Sequence, residues 1–305
     1  MINKKKFATL ALVLVTAAWG LTFPIIKDSV KSISPFSFVS IRFFIGSLFL
    51  WIGGKKFTSL APAVPAKNRA EWISGVILGL VLFCGYSLQT IGLKYTSASN
   101  AGFITGLAVV MVPLIMIFSG NKIRWFTWFA IGMSTVGIAL LSLGDSLSFG
   151  LGDLLILGCA FAFALHIVLV GKFSLIYDPV RMTNVQILVC AVVSGVFALL
   201  TESSELGISS FTQSTVLSLI FCGVVATALA FLVQSSFQRF SSPVKTALIF
   251  TCEPVFGAIF SVWIASEMLN FQQYFGGAMM VLAMVVGEIG PSLIKGRHSN
   301  PLSDE

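Results

Sequence analysis

The sequence predicts an all-α polytopic membrane protein of ten transmembrane helices, arranged as two inverted five-helix repeats. Three observations predict this. Of 305 residues, 56% are hydrophobic and only 10% charged, with a mean hydropathy of +0.96, which is too little polar surface to cover a soluble globule of this size. The chain contains ten apolar runs, each close to the roughly 20 residues that a helix needs to cross the hydrocarbon. It also repeats itself at a shift of 145 residues: Lys27 over Lys172, Gln89 over Gln234, Ser97 over Ser242 and Gly132 over Gly277, with Lys94 over Arg239 and Phe129 over Tyr274 as conservative pairs.

The repeat divides the chain into residues 1–145, residues 146–290 and a short polar tail, 291–305, with no apolar period, which reads as disordered. Each half holds five runs. Because five is odd, two copies of one unit in one membrane must point in opposite directions, an inverted repeat of the kind that secondary transporters use.

The first run, Phe7 to Ile26, follows Lys4, Lys5 and Lys6. It is long enough to span, and its repeat partner, Leu151 to Gly171, is internal, so it reads as a retained helix rather than a cleaved signal. The second and third runs, Phe36 to Gly53 and Trp72 to Ile91, are separated by about 18 residues. The fourth and fifth are Ala98 to Gly120 and Trp125 to Leu143. In the second half the runs are Leu151 to Gly171, Thr183 to Leu200, Thr212 to Ser235, Val244 to Ala265 and Phe271 to Ile289. Most connections are short, which makes consecutive helices antiparallel hairpins. Gly75 and Gly79 in the third run, and Gly102 and Gly106 in the fourth, form small-xxx-small patterns that let backbones approach closely.

The charges set the orientation. With the N-terminus inside, one face collects Lys55, Lys56, Lys67, Arg69, Lys122, Arg124, Lys172, Arg181, Arg239, Lys295 and Arg297 besides the first three lysines, and the other receives Lys27, Lys31 and Lys94. That bias places both termini in the cytoplasm. Asp28, Asp145, Asp153, Glu202, Glu205 and Glu267 fall on the outer face. The net charge of +7 is therefore topological and implies no nucleic-acid partner.

Several chemistries are absent from the sequence. All five cysteines lie inside apolar runs without a C-x-x-C, which reads as reduced packing residues, with no metal site and no cofactor motif. No phosphate-binding G-x-x-x-x-G-K-[ST] occurs, His166 and His298 cannot form H-E-x-x-H, and no serine sits in G-x-S-x-G, so the chain does not read as an enzyme.

Polar groups in mid-membrane carry the functional signal, because an ionisable side chain there costs about 2.5–3.5 kcal/mol on insertion scales and needs a partner or a water-filled path. Arg42, about two turns from the outer end of the second run, either reaches outward to cap a neighbour or lines an outer vestibule. Glu253 sits in mid-run before Pro254, which removes a backbone donor and disfavours helical geometry at the residue it follows. The carboxylate is either a proton or ligand contact or a structural partner for Lys245 or Arg42. Lys245, over Asn100, is expected to reach the cytoplasmic interface, and Glu288 to sit at the inner headgroups. His166, over Leu21, is a proton relay or a packing residue. Gln89 and Gln234 occupy equivalent positions as cross-links or as gates. Trp19, Tyr86, Asn100 and Thr105 differ from their counterparts Ala164, Phe231, Lys245 and Phe250, so a site between the halves is expected to be asymmetric. With Thr22, these residues are the candidate solute or ion pathway.

Four segments have a familiar order and spacing: Ala17 to Phe23 (Ala-Ala-Trp-Gly-Leu-Thr-Phe), Ser34-Pro35-Phe36 followed by Arg42, Tyr95 to Ala101 (Tyr-Thr-Ser-Ala-Ser-Asn-Ala), and Glu253-Pro254-Val255-Phe256. The chain resembles the EamA-type members of the drug/metabolite transporter superfamily from Phe7 to about Ile289. The resemblance implies ten helices in two inverted repeats, a central cavity, and export of small metabolites or amino acids across the bacterial inner membrane. It carries a binding role to Trp19 and Glu253, and departs from the pattern at Ala164, where the first repeat has tryptophan, with His166 nearby. The expected partners are a small solute, protons as the candidate coupling ion, and membrane lipids. A channel-like facilitator, or a non-transporting scaffold or receptor with the same fold, is the rival reading.

Overall fold

The computed structural model describes residues 4–29, 32–57, 69–96, 98–142, 150–202, 211–265 and 268–295. Lys31, Lys67, Ser97, Asp145, Glu205, Glu267, Arg297 and His298 lie outside the described residues, as do the side chains of Lys27, Asp28, Lys55, Lys56, Asn100 and Lys295. The ten helices are α1 (Lys4–Ser29), α2 (Pro35–Phe57), α3 (Arg69–Gly92), α4 (Ala98–Gly106 and Ala108–Phe118), α5 (Trp125–Ser142), α6 (Leu151–Phe173), α7 (Pro179–Thr201), α8 (Gln213–Phe240), α9 (Pro243–Phe250 and Glu253–Ala265) and α10 (Phe271–Lys295). Among the described residues, eight helices contain segments long and apolar enough to cross a membrane, and Trp125–Leu141 in α5 is a shorter apolar segment. The protein is an all-helical multi-pass membrane protein. Helix α10 runs past the expected end at Ile289 into the segment read as a disordered tail, and the rest of that tail, from residue 296, lies outside the described residues.

Helix starts follow local chemistry. Asp178 accepts a hydrogen bond from the Arg181 amide (2.9 Å) ahead of Pro179, so α7 begins four residues before the expected Thr183. Thr212 and Ser242 cap α8 and α9 in the same way. Asn270 and Gln273 exchange side-chain-to-amide bonds of 2.9 Å at the start of α10, a reciprocal cap.

The packing departs from a row of hairpins. The most extensive contacts, α5 with α10, α2 with α7, α3 with α6 and α3 with α7, all join one half of the chain to the other. Short connections make successive helices antiparallel without making them partners; small residues select the partners. A Cβ on Gly75 would lie 2.7 Å from Val185, and one on Gly79 would lie 2.6 Å from the Gln186 carbonyl, which joins α3 to α7. Gly137 and Gly276 do the same for α5 and α10, each approaching the other's carbonyl within 2.8 Å and 2.6 Å. Exchanging the halves preserves the pattern: α3–α6 becomes α8–α1, α3–α7 becomes α8–α2, and α4–α6 becomes α9–α1, all of them observed.

Three helices are interrupted. Helix α9 breaks at Thr251 and Cys252, directly before Glu253 and Pro254, as the proline predicts. Helix α4 breaks at Leu107, the repeat counterpart of Cys252, with no proline at the break. Helix α8 widens into a π-helical turn from Val224 to Leu229, whereas its counterpart segment in α3 is regular helix.

Candidate functional site

The breaks of α4 and α9 face one cavity of about 430 Å³, which lies between two apolar clusters, one built on α2, α3, α7 and α8 and the other on α4, α5, α6 and α9. That volume falls within the range of small-molecule sites. Nine of the candidate residues line it: Trp19, Thr22, Arg42, Tyr86, Gln89, Thr105, His166, Gln234 and Glu253. The Asn100 side chain lies outside the described residues. Lys245 does not line the cavity. Its Nζ reaches the Glu288 carboxylate at 3.3 Å and the Glu288 carbonyl at 3.2 Å, so these two residues, expected separately at the headgroups, hold each other.

Glycine Gly102 has a different role from the one expected. A Cβ there would meet nothing within 4 Å and would enter the cavity, whereas a Cβ on Gly106 would lie 2.8 Å from Ile138. The first glycine leaves room in the cavity and the second brings α4 against α5.

Arg42 is buried, with 2% of its surface exposed, and its charge is held from three sides. Its Nε donates to Thr227 Oγ1 (2.8 Å), its Nη2 donates to the Ala226 carbonyl (3.4 Å), and the guanidinium lies 5.0 Å from the centre of the Tyr86 ring. Ala226 and Thr227 belong to the π-helical turn, whose altered backbone pattern turns a carbonyl and a hydroxyl toward α1 and α2. The same carbonyl accepts from Trp19 Nε1 at 2.8 Å. The arginine therefore neither reaches outward nor caps a helix end; it faces the cavity with its donors partly engaged.

Glu253 opens the second segment of α9, where the helix dipole favours a carboxylate. Among the described residues its carboxylate makes no hydrogen bond or ion pair, with Lys245 or with Arg42, and it lines the cavity. Trp19 stands next to it. A Cβ on the adjoining Gly20 would come 2.8 Å from the Glu253 carbonyl, which holds α1 against the break. Trp19 packs on Phe250 and Phe231 with ring centres 5.0 Å and 5.5 Å apart, and Tyr86 packs on Phe163 at 5.2 Å.

Both copies of several repeat positions line this one cavity: Tyr86 with Phe231, Gln89 with Gln234, Thr105 with Phe250, and Ala108 with Glu253. The cavity thus straddles the relation between the halves. At one end it reaches Lys94, exposed at the α3–α4 turn. At the other end Gln234 Nε2 donates to Gln238 Oε1 (3.0 Å), and Gln238 Nε2 donates to the Ile167 carbonyl (2.6 Å). Beyond this floor, Phe7 packs on Phe237 at 5.3 Å, and Thr9 Oγ1 donates to Glu288, joining the starts of α1 and α9 to the end of α10. The face that carries the chain termini is therefore laced together.

Further buried polar groups complete the frame. His166 shares a 2.9 Å bond with Gln186, which matches Arg42 in the repeat with a slip of one residue. Glu202, expected in an outer loop, is buried and accepts from the Phe36 and Ser37 amides at 2.9 Å, capping α2. Asp153, also expected in a loop, is buried, accepting from the Gly150 amide (2.9 Å) and the Thr96 hydroxyl. Glu71 is buried and accepts from the Asp178 amide and Arg181 Nε, each at 3.1 Å. A signal for Glu202 was present in Ser34-Pro35 at the start of α2, but its long-range partner was not.

The EamA-like transporter family profile matches the chain twice, over residues 6–143 and 150–286. A protein of Archaeoglobus fulgidus named an uncharacterized transporter is 32% identical over 93% of this chain and 86% of its own length. The inner membrane transporter YedA of Escherichia coli K12, also named uncharacterized, is 24% identical over 90% of this chain and 88% of its own. A solved crystal structure, 17% identical, shares the fold with a TM-score of 0.79, over 94% of this chain and 99% of that one. The family and these relatives are named as transporters rather than enzymes. The chain is a membrane transporter and belongs to the EamA-like transporter family.

Proposed function

We propose that the chain is a secondary carrier that exports small metabolites, amino acids or drugs by alternating access, as two inverted five-helix repeats in the bacterial inner membrane with both termini cytoplasmic. The observation that carries this is the single cavity at the coincident breaks of α4 and α9, lined by both halves and laced shut on the termini face. Broken helices at a repeat interface are where such carriers bind their cargo, and rocking of one bundle against the other exposes the site to each side in turn. The exchange-invariant packing supports the repeat, and an odd number of helices per repeat supports its inversion. The name of the E. coli relative supports the inner membrane. In that orientation the cavity faces outward.

Counterflow tests the reading. Purified protein is first screened by thermal shift against amino acids, purines, sugars and cationic drugs, since a ligand of the folded state raises apparent stability. The strongest hit is then loaded unlabelled into proteoliposomes. Uptake of labelled hit from outside is expected to rise with the internal load. Flux indifferent to the load identifies a channel and overturns the carrier. Proton coupling through Glu253 or His166 predicts that the response of flux to an imposed pH gradient disappears in Glu253→Gln or in His166→Leu. Retention of that response in both variants removes protons from the mechanism.

A further inference from the structure

Glu253 is the one acidic residue among those that line the cavity, and its carboxylate has no hydrogen-bonding partner among the described residues. Neutral polar groups, the Tyr86 hydroxyl and the Gln89 amide among them, line the same space and can each donate or accept. Of the two cations that line it, Arg42 is engaged by Thr227, Ala226 and the Tyr86 ring, and Lys94 stands at the exposed end.

We infer, resting on the carrier reading above, that the solute bears a protonated amino group that docks on Glu253 with its apolar body among the aromatic rings. An unpaired carboxylate in a largely apolar cavity is costly to leave uncompensated, and an ammonium supplies both the opposite charge and the N–H donors that it lacks. Trp19, beside the α9 break, and Phe250, one turn before Glu253, present ring faces and edges that suit an ammonium and the carbons next to it. Phe231 and Phe163 extend the apolar wall. The amine belongs either to a simple organic amine or to an amino acid whose carboxylate uses the donors of Arg42 not already engaged.

Isosteric ligands test this on the full-length protein in lipid nanodiscs, with tryptophan fluorescence as the readout. 2-Phenylethylamine is expected to bind at least tenfold more tightly than 2-phenylethanol or 3-phenylpropanoate. Glu253→Gln is expected to weaken the amine at least tenfold while leaving the alcohol within twofold, and Glu253→Asp, which keeps the charge, to retain the preference for the amine. Equal or tighter binding of the alcohol or the anion, an amine-to-alcohol ratio unchanged in Glu253→Gln, or no binding by any of the three overturns the inference. L-Phenylalanine separates the two sources: tighter than the amine points to amino acids and weaker to organic amines, and either result upholds the amino-group dock. Amine binding without trans-stimulated flux overturns the carrier reading and leaves the dock standing. Trans-stimulated flux of the anion without amine preference does the reverse.

Discussion

Helices α4 and α9 break at the same repeat position, yet the first residue after the break is Ala108 in one and Glu253 in the other. The same contrast runs through the cavity. Arg42 is matched, with a slip of one residue, by Gln186, Thr105 by Phe250, and the regular turn of α3 by the π-helical turn of α8. What the halves share is scaffold: interrupted helices and reciprocal packing. Where they differ, they place charge and aromatic surface. A site recognising an asymmetric solute on a nearly symmetric frame needs this division, because identical halves would present the same chemistry twice.

Breaking the shared frame should have the largest effect. Gly276→Leu forces a side chain into the backbone of α5, where a Cβ alone would lie 2.6 Å from the Gly137 carbonyl, and is expected to destabilise by about 1–3 kcal/mol or to abolish folding. Denaturant titration, or loss of the monodisperse chromatographic peak, reads this out. Arg42→Met is expected to cost about 2–3 kcal/mol through the lost charge-assisted bonds and to reduce counterflow, whereas Gln186→Met, which removes a neutral bond to His166, should cost about 1 kcal/mol. If the two variants fall together, the charge asymmetry between the halves has no energetic weight. Trp19→Phe keeps an aromatic ring but removes the donor to the Ala226 carbonyl and part of the indole's packing, so a loss of at least about 1 kcal/mol is expected. Gly102→Ala enters open space and should change stability by less than about 0.5 kcal/mol, while its methyl group occupies the cavity and shifts solute affinity. A large stability loss there would contradict the assignment of Gly102 to the cavity.

Much of the site was legible because polar groups in an apolar run stand out. Trp19, Arg42, His166 and Glu253 were found that way, and the structure brings them to one cavity. Lys245 stood out by the same rule but sits near a helix end, where Glu288 on another helix completes it. Glu71 and Glu202 behave similarly: each is buried by amides more than fifty residues away, which no local pattern encodes, and Asp153 adds the distant Thr96 hydroxyl to its local bond with the Gly150 amide. The break in α4 was missed because no proline marks it, and the π-helical turn because Val224 to Leu229 is ordinary apolar sequence.

The sequence by itself determined the class, the number of helices and the repeat, since hydrocarbon thickness sets the length of a span and a duplicated unit leaves its register in the chain. It also determined where α9 must break, because a proline cannot donate. Only the tertiary structure decided that the halves interlock helix by helix, that Arg42 is held by a widened turn of α8, and that the Glu253 carboxylate is left open to the cavity. Those outcomes depend on which carbonyl, hydroxyl or ring reaches across from the other half, and such long-range contacts exist only once the helices have packed.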